Sequence, residues 1–169
     1  MKVVSDGLAR NPDDFRLYHY TLVYLLPKWR GSDSEVGAFI DSAARSTFER
    51  HGLEIYARLY SAAAQDQYKH RLFADSPVSW PKMKQGLEDW TSRFPTIWNL
   101  NIYAYFACLA KDKAATKVLL EKIGSARILD IWEPNSQVML STCQQFANAP
   151  VDPVPAPPTS STTRTAPTT

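Results

Sequence analysis

Apolar side chains along this chain recur three and four residues apart, and no segment alternates in twos between turn signals. The spacing predicts helices and requires no sheet. Asn11 can cap a first turn, Pro12 suits its opening position, and Asp13 and Asp14 favour the positive end of its dipole. A helix is expected over about Pro12 to Leu26, stopped by Pro27. Its apolar groups, among them Tyr18, Leu22 and Leu25, are too many for one stripe, which predicts cover on more than one side. Ser32 and Glu35 then form a capping box before Val36, Phe39, Ile40, Ala43, Ala44 and Phe48, and Gly52 follows His51 as a left-handed terminator. Leu53 to Tyr68 continues the period as a third helix.

Ser79 can open a fourth helix carrying Met83, Leu87, Trp90 and Phe94, ended by Pro95. The densely apolar TIWNLNIYAYFACLAKD reads as a fifth. Asp112 caps a sixth that Gly124 closes, and Asn135 caps a seventh carrying Val138, Met139, Cys143 and Phe146 on one face. The intervening ARILDIWEP fits either a short helical turn or an extended linker. Connections of a few residues hold sequence neighbours side by side, so the fold class expected over 1–149 is all-α, in stacked antiparallel helix pairs. From Pro150 to Thr169 the composition changes: this stretch holds six of the twelve prolines, many Thr and Ser, and only Asp152 and Arg164 as charges. It is expected to be a disordered, partly polyproline-like tail. An inert tail is its plainest role, and the P-x-x-P spacing in PVPAPP offers a proline-rich ligand instead.

With 169 residues and 44% apolar content the chain can bury a core without metal or covalent staples. A net charge of +2 from 19 basic and 17 acidic residues in mixed order gives no broad field, so neither nucleic acid nor membrane is expected as a partner. Cys108 and Cys143 show no C-x-x-C spacing and no neighbouring histidines, and read as small buried hydrophobes in a reducing compartment. The first residues, MKVVSDGLARNPDD, lack the apolar core of a signal peptide, and no stretch approaches a membrane span. A cytoplasmic location is expected.

Two stretches resemble helical-repeat proteins of the tetratricopeptide type. One is NPDDFRLYHYTLVYLLP with its partner helix. The other is FPTIWNLNIYAYFACLAKDKAATKVLLEKIG, with Tyr103, Ala104 and Ala107 at packing positions and Lys111-Asp112 where such repeats carry Gly-Asp. More specifically, Leu25-Leu26-Pro27-Lys28-Trp29-Arg30-Gly31-Ser32, the run Asn99-Leu100-Asn101-x-Tyr103-Ala104-x-Phe106-Ala107, and Ile123-Gly124 resemble a bacterial family of uncharacterised proteins known only as a domain of unknown function. Its members read Leu-Pro-Arg-Trp-Gly-Gly-Ser at the first site, from which Arg30 departs. The likeness runs from about Asn11 to Phe146 and implies no activity. It does imply a preceding helical region, and hence a first helix lacking part of its cover.

Candidate chemistry is sparse. His19, His51 and His70 lie in separate elements, and no metal-binding, nucleophile-elbow or phosphate-loop motif accompanies them. His19 between Tyr18 and Tyr20 is the most suggestive, although a hydrogen-bonded interface histidine is its plainer explanation. Asp41 with Glu49, or Glu88 with Asp89, could pair carboxylates, but as helix-surface groups they read as solvated. No cofactor, metal or enzymatic activity is expected. The five tryptophans read mostly as core wedges. A stack of helix pairs exposes a concave face made by the first helix of each pair, here those of Phe15, Ile55 and Tyr103. His19, Arg58, Asn101 and Tyr105 are the expected partner-binding residues on that face. The function expected is therefore a non-catalytic module binding a protein or peptide. The alternatives are a structural fragment of a larger helical-repeat protein, self-associating or exposing apolar surface through Tyr18, Leu22 and Leu25, and an enzyme using His19 with a carboxylate.

Overall fold

Five helices of the chain begin where a short polar side chain, Asp14, Ser32, Thr96, Asp112 or Asn135, takes up a free backbone N–H, whereas Ser79, expected to do the same, makes no such bond. In the computed structural model, which describes residues 6–8 and 10–150, eight α-helices follow one another from Phe15 to Asn148, and no strand occurs among the described residues. They are α1 (Phe15–Leu25), α2 (Asp33–His51), α3 (Glu54–Ala63), α4 (Leu72–Asp75), α5 (Trp80–Arg93), α6 (Ile97–Leu109), α7 (Lys113–Ile123) and α8 (Ser136–Asn148). Ser32, Asp112 and Asn135 cap α2, α7 and α8 as expected. Ser32 also donates to Glu35 at 2.8 Å, closing the capping box. Thr96 caps α6 through the Asn99 N–H.

The differences from the sequence reading are local. The cap of α1 is Asp14, whose carboxylate accepts the Arg16 N–H, and not Asn11, because residues 11–14 form a turn before the helix proper. The third helix stops being α-helical at Ala63 and continues to Tyr68 as a wider π-turn, ending at Lys69 with φ 51°. An additional four-residue helix, α4, fills the connection to α5. The ambiguous segment after Gly124 holds a single 3₁₀ turn, Leu129–Ile131. The expected disordered tail lies outside the described residues.

With seven of its ten residues buried, α3 sits at the centre of the first half, against α1, α2 and α5. Leu22, Leu26, Val36, Ile40, Leu59 and Met83 are completely buried in this layer. Gly86 lets α5 approach α3 closely, since a Cβ there would stand 2.3 Å from the Leu53 carbonyl oxygen. In the second half, α6 packs on α7, α8 and α5, and α7 packs on α8.

Two surface expectations change. Tyr18, Leu22 and Leu25, which the structural-fragment alternative needs exposed, are buried, because α1 turns them towards α2 and α3; Tyr20 and Tyr24, 68% and 70% exposed, face outwards instead. Of the tryptophans only Trp132 is fully buried, while Trp29 and Trp98 are largely exposed.

The cysteines also depart from expectation. Cys108 and Cys143 form a disulfide between α6 and α8, with Cα atoms 5.7 Å apart. Thirty-five residues separate them in sequence, and the α6–α7–α8 arrangement brings them together.

Candidate functional site

Where the two halves meet, a cleft of about 530 Å³ opens between α1, α3 and α6. Its α6 wall arises from helical pitch: Trp98, Ile102, Tyr105 and Phe106 fall at i, i+4, i+7 and i+8, one face of a helix. Opposite stand Phe15 and His19 from α1, and Arg58, Ser61 and Ala62 from α3. Trp90 of α5 closes one side. The π-turn adds Ala64 and Gln65, and Lys69 follows at its end. Asp130, Ile131 and Glu133 form the remaining rim. The lining is mostly aromatic and aliphatic, with charges at the edge.

Arg58 is held rather than free. Its guanidinium lies 4.0 Å from the Phe15 ring centre and 5.7 Å from that of Trp90. It also donates to Glu54 Oε1 at 3.0 Å. Glu54 is 2% exposed, and its other oxygen, without a hydrogen bond, faces Arg93 at 3.6 Å and His51 at 3.9 Å. Arg58 is thus clamped between two rings and a buried carboxylate, with its fork fixed at the cleft wall. Across the mouth, Lys69 and Glu133 pair at 3.6 Å; both are about half exposed, so water weakens the pair.

Tyr105 reaches from the opposite side. Its hydroxyl donates to the Glu133 carbonyl at 3.3 Å and its ring meets Trp132 edge-on. Burial first, and the Glu133 carboxylate second, push its hydroxyl pKa up to about 12, so it stays a neutral donor at any physiological pH.

Of the four residues expected on the concave face, His19, Arg58 and Tyr105 line the cleft. Asn101 does not. It is completely buried and spends its amide on backbone: Nδ2 donates to the Ile97 and Ala126 carbonyls, while Oδ1 accepts from the Ile128 N–H and Trp132 Nε1. The reason lies in the 126–132 segment, whose polar groups need a buried partner on α6. Asn101 thereby fixes the strap that carries Asp130, Ile131 and Glu133 to the rim.

The sequence reading passed over Trp90, Trp98 and Lys69. Trp98 was legible, because the helical face it shares with Ile102 and Tyr105 can be drawn from spacing alone. Lys69 was not, since its placement depends on the π-turn.

The other singled-out groups make structural contacts. His51 links Asp13, at 2.8 Å from Nε2, to Arg93 at Nδ1. Asp41 pairs with Lys82, Glu88 accepts from the Tyr103 hydroxyl, and Asp89 accepts the Leu53 N–H. His19 stands 3.4 Å from Asp66 at the rim, both partly exposed. Ser61, the hydroxyl in the cleft, donates to Ala57 O in its own helix and so is not hydrogen-bonded to a base. Among the described residues no cluster of His, Cys, Asp and Glu could hold a metal ion, and no helix is long and apolar enough to cross a membrane.

No family model, curated protein or solved structure matches the chain. The likeness to tetratricopeptide repeats and to the uncharacterised bacterial family therefore rests on the residues quoted for it.

Proposed function

We propose that this protein is a non-catalytic interaction module whose cleft between α1, α3 and α6 receives a segment of a protein or peptide. One observation carries the reading: α1, α5 and α6 turn aromatic side chains into one cleft, with Arg58 of α3 immobilised among them. Rigid aromatics and a pre-set arginine are the usual anchors of recognition, because they bury area at little entropic cost. A cleft so lined takes an extended or helical segment with apolar side chains. Nothing in it supplies a hydrogen-bonded nucleophile and base. Nucleic acid is disfavoured as the occupant, since cation and carboxylate alternate around the rim.

Peptides selected from a display library on the wild-type protein test the proposal. Their affinity should fall about tenfold in Trp98→Ala, a loss of about 1.4 kcal/mol. It should not change in Tyr24→Ala, where a still more exposed ring lies outside the cleft. Selected peptides indifferent to Trp98 would sink the reading. Tyr105→Ala is a poorer probe, because Tyr105 is 6% exposed and its loss would open the core.

A second reading has its own observation. Tyr20, Tyr24 and Trp29 form an exposed aromatic surface on and after α1, which suits a fragment that docks on a larger helical protein or self-associates through its first helix. Light scattering on Tyr20→Ser/Tyr24→Ser beside the wild type tests it, and an unchanged monomer in both removes it. The enzyme alternative keeps only the His19–Asp66 contact in its favour.

The compartment turns on the cysteines. A paired Cys108–Cys143 supports an oxidising environment and weighs against the cytoplasmic expectation. Alkylation of both thiols in freshly lysed native cells would restore the cytoplasmic reading.

A further inference from the structure

Resting on the cleft being a binding site, we infer that its resident occupant is the chain's own proline-rich segment, residues 153–158, with 151–152 as its tether, so that a partner must displace it. Aromatic-walled clefts are the recognised docking place for polyproline segments, whose stiffness leaves little entropy to lose on binding. Trp98, Tyr105 and Trp90 supply such walls. PVPAPP supplies the segment. Between Asp152 and Arg164 the tail carries no charge, so docking that stretch in an apolar cleft strips no ion of water.

The point of departure allows it. After α8, the carbonyls of Ala149 and Pro150 accept from the Lys113 ammonium, which anchors the start of the tail beside the junction of α6 and α7. The cleft-lining face of α6 runs back from there: Leu109 to Trp98 is a rise of about 16 Å. Eight residues in a polyproline helix extend about 25 Å. That length reaches round the end of α6 and along the face. Tethering keeps even a weak segment at millimolar effective concentration.

The test compares the full wild-type chain with a full-length P153A/P155A/P157A/P158A variant by the indole N–H signals of its tryptophans. Trp90 and Trp98 should differ between the two proteins, while Trp29 and the buried Trp132 stay in place. A synthetic peptide of residues 151–169, added to the variant, should move Trp90 and Trp98 back towards their wild-type positions. A library-selected peptide should bind the variant about three- to tenfold more tightly than the wild type, because the competitor is gone. Identical indole signals in the two proteins overturn the inference. So does a wild-type shift that fades on dilution, which would place a neighbouring molecule's tail in the cleft. If the indoles are identical yet selected peptides still require Trp98, the inference fails and the binding reading stands; if they also ignore Trp98, both fail.

Discussion

The two banks of the cleft are built by different means. The α1–α3 bank is organised by charge: buried Glu54 gathers Arg58, Arg93 and His51, and Arg58 in turn is pinned on Phe15 and Trp90. The α6 bank is organised by neutral hydrogen bonds and a covalent tie, through Asn101 to the 126–132 strap and through Cys108–Cys143 to α8. The difference teaches where each bank is vulnerable. Ionic perturbations should loosen the first and leave the second standing, and reductant should do the reverse.

Asn101→Ala should break the comparison most severely. It strands the Ile128 N–H and Trp132 Nε1 inside the protein, and a loss of about 4 kcal/mol in denaturant unfolding is expected. Selected-peptide binding should fall with it, because the strap carries the Glu133 rim. Cys108→Ser/Cys143→Ser removes the tie across 35 residues and should lower stability by about 3 kcal/mol. Hydrogen exchange should then speed up in α6 and α8 and stay unchanged in α2 and α3.

Glu54→Gln sharpens the contrast from the other side. It removes the charge that holds Arg58, at a cost of about 2 kcal/mol. Protection should drop in α1, α3 and the ends of α2 and α5 that carry His51 and Arg93, and hold in α6 and α8. Asp112 bridges the halves, capping α7 while accepting from Lys84 and Trp80 of α5. Burial works against its charged form, but bonds from the Ala115 N–H, Lys84 and Trp80 outweigh it and hold its pKa below 3.8. A depressed folded-state value means that its contribution is complete above pH 3.8 and disappears as pH falls through the folded value. Asp112→Asn should therefore cost about 1 kcal/mol at pH 7 and flatten the acid limb of the melting temperature.

How much of this was legible depended on how local the cause was. Helix periods, the capping box at Ser32 and Glu35, and the caps at Asp112 and Asn135 are fixed by neighbours in sequence, and each was readable. The helices of Phe15, Ile55 and Tyr103 do share a cleft, and His19, Arg58 and Tyr105 line it. Asn101 was misread for an instructive reason: a polar residue one turn before Tyr105 looks like surface unless the strap that needs its amide is known. The Cys108–Cys143 pair failed likewise, since spacing rules see only nearby cysteines. Arg30 and Lys111 adopt left-handed φ values of 77° and 59°, which glycine adopts without strain and which no helical period foretells.

On the proposed reading the aromatic cleft, and not the exposed α1 surface, receives the ligand. Mapping backbone and indole NMR shifts of the full chain, titrated with a library-selected peptide, tests it most directly. The account predicts saturable changes confined to Phe15, Arg58, Lys69, Trp90, Trp98 and Tyr105. Changes centred on Tyr20, Tyr24 and Trp29, with Trp98 and Tyr105 unmoved, would contradict it.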